Sequence, residues 1–144
     1  MKLLKNEKEL FDEVILQAES SKNILISTFG LWAGIMSSGY EVKFDIASKK
    51  ALEVLSDKDT KFIIGKPVYM PCVKAGCSHC KAKFEEQTAR IATTMETFGI
   101  TKYKIVDGYH AKYYLFDNGT SIIGGMNFSS SSWTDYMTRN SSPQ

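Results

Sequence analysis

Between residues 6 and 20 the apolar positions fall at Leu10, Phe11, Val14, Ile15 and Ala18, the spacing of a helix with one buried face. Ser20-Ser21-Lys22-Asn23 breaks that pattern. Residues 23–28 (NILIST) then predict a short buried strand with Ile24 and Ile26 on one face. Residues 29–38 are expected to be helical, because Ser27 and Thr28 would cap a helix start and Gly39 would end it. After the ambiguous YEVKFDI, a helix is expected through residues 47–55 and a strand over residues 61–65. Pro67 and Pro71 frame a non-helical excursion. A long helix follows over residues 81–98, where Phe84, Thr88, Ile91, Met95 and Phe98 share one side and Gly99 is a natural stop.

The last third of the chain changes period. Residues 102–106, 109–116 and 121–124 read as strands, punctuated by Asp107-Gly108 and Asn118-Gly119, both hairpin-turn dipeptides. With βα units first and hairpins last, the expected class is α/β or α+β. The expected architecture is a mixed β-sheet flanked by helices on both faces, with a small cysteine-containing insertion.

At 144 residues the chain is long enough for one domain spanning 1–144. A net charge of +2 requires any basic surface to be local. Lys61, Lys66, Lys74, Lys81, Lys83, Lys102 and Lys104 lie near the expected loops, where they could follow a phosphate backbone. The N-terminal stretch interleaves charges with Leu and Val and lacks the apolar core of a signal peptide. The longest apolar run, residues 24–36, falls well short of the ~20 residues of a membrane span. These features predict a cytoplasmic protein with no membrane partner.

Cys72, Cys77 and Cys80 form a C-x4-C-x2-C cluster and are the only three cysteines, an odd set that makes a poor disulfide framework. The C-x2-C half has a spacing whose thiolates can converge on one ion. A structural zinc in a loop at 71–81 is therefore expected, with His79 as the nearest fourth ligand and a carboxylate or a partner-chain residue as alternatives. Reduced thiols in a flexible loop are the competing reading.

The chemistry concentrates in YHAKYYLFDNGTSIIGGMN, residues 109–127. On a strand, period two would put His110, Lys112, Tyr114 and Phe116 on one face, with His110 and Lys112 about 7 Å apart at the backbone. One phosphate could then meet both side chains. Gly124-Gly125 would let backbone approach closely, and Asn127 would emerge beside them with an amide donor. A phosphodiester is a poor electrophile with charged oxygens, which Lys112 and Asn127 can neutralise and hydrogen-bond. An imidazole titrates near neutral pH and can act as nucleophile or general acid–base.

HAKYYLFD, six further residues and GGMN resemble the H-x-K-x4-D-x6-G-[SG]-x-N motif of the phospholipase D superfamily. His110, Lys112, Asp117, Gly124, Gly125 and Asn127 match position by position. The resemblance implies a metal-independent double displacement: one histidine attacks phosphorus, a second protonates the leaving oxygen, and water resolves the phosphohistidine. His110, Lys112, Asp117 and Asn127 are the implied catalytic residues, with Lys112, Asn127, Gly125 and Ser129 meeting the substrate. Family enzymes use two such motifs and this chain has one, so the implied assembly is a homodimer whose two-fold axis joins the two copies of His110. Gly125 stands where the nuclease branch often has serine, and Asp135 is a weaker candidate for the acidic position that holds the histidine. The expected activity is an endonuclease acting on DNA, ahead of RNA. A phospholipase or phosphatidyl transferase, and a non-catalytic nucleic-acid- or protein-binding module, remain the alternatives.

Overall fold

The structure, a computed structural model, describes residues 3–32, 34–36, 42–44, 46–66, 74–107, 109–124 and 128–129. Helix α1 (Glu7–Glu19) opens on Asn6, whose extended backbone leaves its side-chain oxygen to accept the Glu9 N–H at 2.9 Å. The chain continues through β1 (Asn23–Phe29), β2 (Leu31–Trp32), β3 (Gly34–Met36), β4 (Val42–Phe44), α2 (Ile46–Ser56) and β5 (Asp59–Lys66). The described elements continue with α3 (Ser78–Thr97), β6 (Tyr103–Asp107), β7 (Tyr113–Phe116), β8 (Ser121–Ile123) and β9 (Phe128–Ser129). None of the described helices is long and apolar enough to cross a membrane.

Five strands form one mixed sheet in the order β6-β5-β1-β7-β8. β1, β5 and β6 run parallel, while β7 is antiparallel to β1 and β8 to β7. The mixed α/β class agrees with the sequence expectation. The helices do not flank both faces among the described residues. Ile24, Ile26, Phe62, Ile64, Tyr114 and Phe116 point to one side and join α1, α2 and α3 in a single core. The opposite alternates include Lys61, Lys104, Leu115 and Ile123, all exposed. The reason is topological: β1–α2–β5 and β5–α3–β6 step across the sheet in the same direction. Two crossovers of the usual right hand then lie on the same face.

The helix expected over residues 29–38 is replaced by short strands. Gly30 takes φ 86°, which ends β1 in the left-handed region, and its N–H donates to the Gly65 carbonyl at 2.8 Å. The Thr28 hydroxyl, read from sequence as a helix cap, instead donates to the Gly30 carbonyl at 2.8 Å and accepts the Phe128 N–H at 2.9 Å. β2 then pairs in parallel with β9. The Phe128 ring completes this anchor, packing edge-on against Phe11 at 5.0 Å between centroids, and its full burial contributes about 2–3 kcal/mol. The long helix ends as its glycine predicts. Gly99 has φ 68°, with its N–H on the Glu96 carbonyl and the Ile100 N–H on the Met95 carbonyl, the paired bonds of a Schellman cap.

Asp107-Gly108 was expected to turn a hairpin, but β6 and β7 are not neighbours. The chain must instead leave the sheet edge and cross the carboxyl-terminal ends of β5 and β1 before entering β7. That crossing builds the candidate site.

Candidate active site

The crossing segment is seated on a glycine. A side-chain carbon at Gly65 would overlap the Tyr109 carbonyl, so only the absence of a side chain near the end of β5 lets the backbone pass. Ser27, fully buried on β1, secures the next step: its hydroxyl donates to the Ala111 carbonyl at 2.7 Å. The same oxygen lies 3.2 Å from the Tyr109 hydroxyl, which lies 3.2 Å from the Tyr113 hydroxyl. Contact with Ser27, and then with Tyr113, draws the Tyr109 phenol below its ordinary pKa, whereas Tyr113 is pushed up by its bond to Tyr109.

These contacts correct the expectation that His110 and Lys112 ride on a strand. β7 begins only at Tyr113, where it pairs with Ser27. Ahead of it the side chain of Ser27 takes the Ala111 carbonyl, so the backbone of residues 109–112 is held across the sheet ends. Tyr114 and Phe116 enter the core, and His110 stays exposed. Its imidazole stacks on the Phe29 ring at 3.9 Å between centroids and 27° between planes. Lys112 Nζ sits 5.6 Å from the same ring centroid and donates to the His110 carbonyl at 3.2 Å. One phenyl ring at the end of β1 thus carries both the imidazole and the ammonium, at the carboxyl ends of the strands, where open α/β sheets commonly bind ligands.

Asp117 is not brought to that end. Its carboxylate accepts the Lys22 N–H at 2.9 Å, the Asn23 N–H at 3.0 Å and the Asn23 side-chain amide at 3.0 Å. Those contacts lie at the start of β1, six strand steps and about 20 Å from Phe29. The bond from Lys22, followed by those from Asn23, holds the carboxyl below its ordinary pKa. Beside it Asn118-Gly119 makes the expected hairpin, with Gly119 at φ 92° and its N–H on the Phe116 carbonyl at 3.3 Å.

Gly125, Asn127, Asp135 and Cys72 lie outside the described residues. Phe128, the residue after Asn127, is pinned by its N–H to Thr28, so the chain has returned to the end of β1 that carries Phe29. Ser129 pairs through its backbone with Trp32 in β2 and β9. Gly124 follows β8, and among the described residues beyond its chain neighbours none places an atom within 4 Å of where a side chain would begin.

The cysteine segment also differs from expectation. α3 begins at Ser78, so His79 and Cys80 occupy its first turn and Cys77 is its N-cap. Among the described residues no group of three or more His, Cys, Asp or Glu side chains is arranged to hold a metal ion.

Sequence reasoning missed Ser27, Phe29, Gly65, Tyr109 and Tyr113. One signal was present: Ser27-Thr28 interrupts an otherwise apolar strand, and buried hydroxyls need partners. Nothing local marks Phe29 as the platform for a histidine 81 positions later.

The chain matches no protein-family model. It also matches no curated protein.

Proposed function

We propose that this chain is a phospholipase D-like phosphodiesterase, a metal-independent endonuclease acting on DNA, with a site completed by a second copy. The observation that carries the reading is the pairing of His110 and Lys112 over Phe29 at the carboxyl end of β1. An exposed imidazole beside an ammonium suits attack on a phosphodiester. Lys112 neutralises a non-bridging oxygen while His110 attacks phosphorus, and the leaving oxygen takes a proton from His110 of the second copy. Water, deprotonated by that same imidazole, then displaces the first and releases the phosphomonoester.

Two surface features support the partners. Lys61 and Lys104 are exposed on the sheet face opposite the helices, placing positive charge for a polyanion on the side that the crossing segment occupies. Val106, Leu115 and Ile123 are exposed on that same face, and Ile123 is 80% accessible. Apolar surface of this kind is what a second copy would cover.

The test is cleavage of labelled DNA, RNA and phosphatidylcholine in EDTA, by the native chain and by His110→Ala, with mass measured by light scattering. The expected result is cleavage of DNA by a dimer, lost in the variant. Activity on lipid alone, or turnover by a monomer, overturns the reading.

A further inference from the structure

β1 holds His110 and its chain neighbours at three points, two of which share one atom. The imidazole stacks on the Phe29 ring at 3.9 Å between centroids. Two positions earlier on the same face of β1, the hydroxyl of fully buried Ser27 meets both neighbours of that histidine. Ala111 offers its backbone carbonyl at 2.7 Å and Tyr109 its phenol at 3.2 Å. The protons run one way. A carbonyl has none to give, so the single Ser27 proton goes to Ala111, and the Ser27 oxygen accepts from Tyr109. With the Tyr109 proton spent, the Tyr113 hydroxyl 3.2 Å away donates to it. Tyr113 is the register partner of Ser27 across β1 and β7, so the two residues that hold the Tyr109 phenol are themselves paired.

We propose that Ser27 and Tyr109 are positioning residues for His110, with Ser27 Oγ clamping the residues on both sides of it. One atom donates to one neighbour and accepts from the other, a double role that needs a hydroxyl and that alanine cannot fill. Without it the Ala111 carbonyl and the Tyr109 phenol lose their common partner, and the imidazole keeps only the Phe29 ring. Tyr109 acts through Ser27, so removing its hydroxyl loosens the same clamp from the other side. The effect on cleavage rests on the phosphodiesterase reading; the clamp does not.

The chain has two histidines, and exposed His79 serves as an internal control for nuclear magnetic resonance of the imidazole ring protons. A proton above a phenyl face is shielded, so the His110 signal, identified by its loss in His110→Ala, should lie upfield of the His79 signal. Ser27→Ala should move it more than halfway back, and Tyr109→Phe should move it the same way by less. The double variant should match Ser27→Ala alone, because residues acting through one contact are not additive. The His79 signal should stay where it is. Kinetics on DNA should show kcat about tenfold lower in Ser27→Ala with KM within about twofold, the pattern of a misplaced reacting group. An unmoved His110 signal in Tyr109→Phe or in folded Ser27→Ala, or additive shifts in the double variant, overturns the proposal. If Ser27→Ala does not fold, Tyr109→Phe, which removes one oxygen from a half-buried residue, decides alone. A native chain that cleaves no DNA defeats the phosphodiesterase reading, and the histidine signals still decide the clamp.

Discussion

The two ends of β1 use the same motif for opposite purposes. At the Asn23 end, Asp117 is locked by three donors from Lys22 and Asn23, and the hairpin it heads is tied to the start of the strand. At the Phe29 end, exposed His110 stacks on one ring and half-buried Lys112 sits over the same ring. The locked end ties the hairpin to the sheet, and the other end carries an exposed imidazole. Residues 110–117 span both, so a motif that reads as one unit in sequence divides into a part that holds the sheet and a part that carries His110 and Lys112 over the Phe29 ring.

Substitutions at the two ends should therefore separate activity from stability. The largest expected effect on activity is at the open end: His110→Ala lowers cleavage by about a thousandfold, within the range for loss of an acid–base or nucleophilic group. Its stability should stay within about 0.5 kcal/mol of the native chain, as for surface positions generally. Activity assay and denaturant unfolding on the same preparation check both halves, and a large stability loss would break the contrast.

Gly65→Ala should disturb both properties. The added carbon must displace the Tyr109 carbonyl, at a cost of about 1–3 kcal/mol, and residues 109–112 move with it. Urea unfolding reads the first effect and cleavage the second. If activity survives intact, the seating of the crossing segment on β5 does not matter to the site.

Phe29→Leu keeps an apolar side chain but removes the ring on which His110 stacks. The expected loss is up to about tenfold in kcat with little change in KM, in line with the ~0.5–1.5 kcal/mol that an aromatic pair supplies. An unchanged kcat would show that the imidazole finds its position without the ring.

The smallest effect on activity is expected at the locked end. Asp117→Asn should leave cleavage within about twofold while lowering Tm, since the amide answers fewer of the three donors. The pH dependence sharpens this. The folded-state pKa of Asp117 is depressed by the Lys22 N–H first and by Asn23 after it. Its contribution is therefore fully present above the unfolded value of about 3.9 and is lost as pH falls through the lower folded value. Asp59, lowered by its bond to Lys102, titrates in the same direction. The difference in Tm between native chain and Asp117→Asn isolates one carboxyl, and it should shrink as pH drops below about 4. A difference that stays constant down that range would remove the electrostatic account of the locked end.

The elements with strong local signals were legible without any structure. Leu10, Phe11, Val14 and Ala18 recur at helical spacing and are all fully buried in α1. The NILIST strand, the helix before Ser56, the strand before Lys66 and the Gly99 stop rest on period and backbone preference, which neighbouring residues largely determine. The same holds for the Asn118-Gly119 hairpin and for the motif residues themselves. What the tertiary structure alone decided depends on partners far apart in sequence. Thr28 became a clamp on Phe128 instead of a helix cap, residues 109–112 became a bridge over Gly65 instead of a strand, and Asp117 went to Lys22 and Asn23 at the far end of β1 from His110. Each outcome was set by a hydrogen bond or a close approach between segments that no local pattern connects. A buried donor or acceptor takes whichever partner the fold brings within reach.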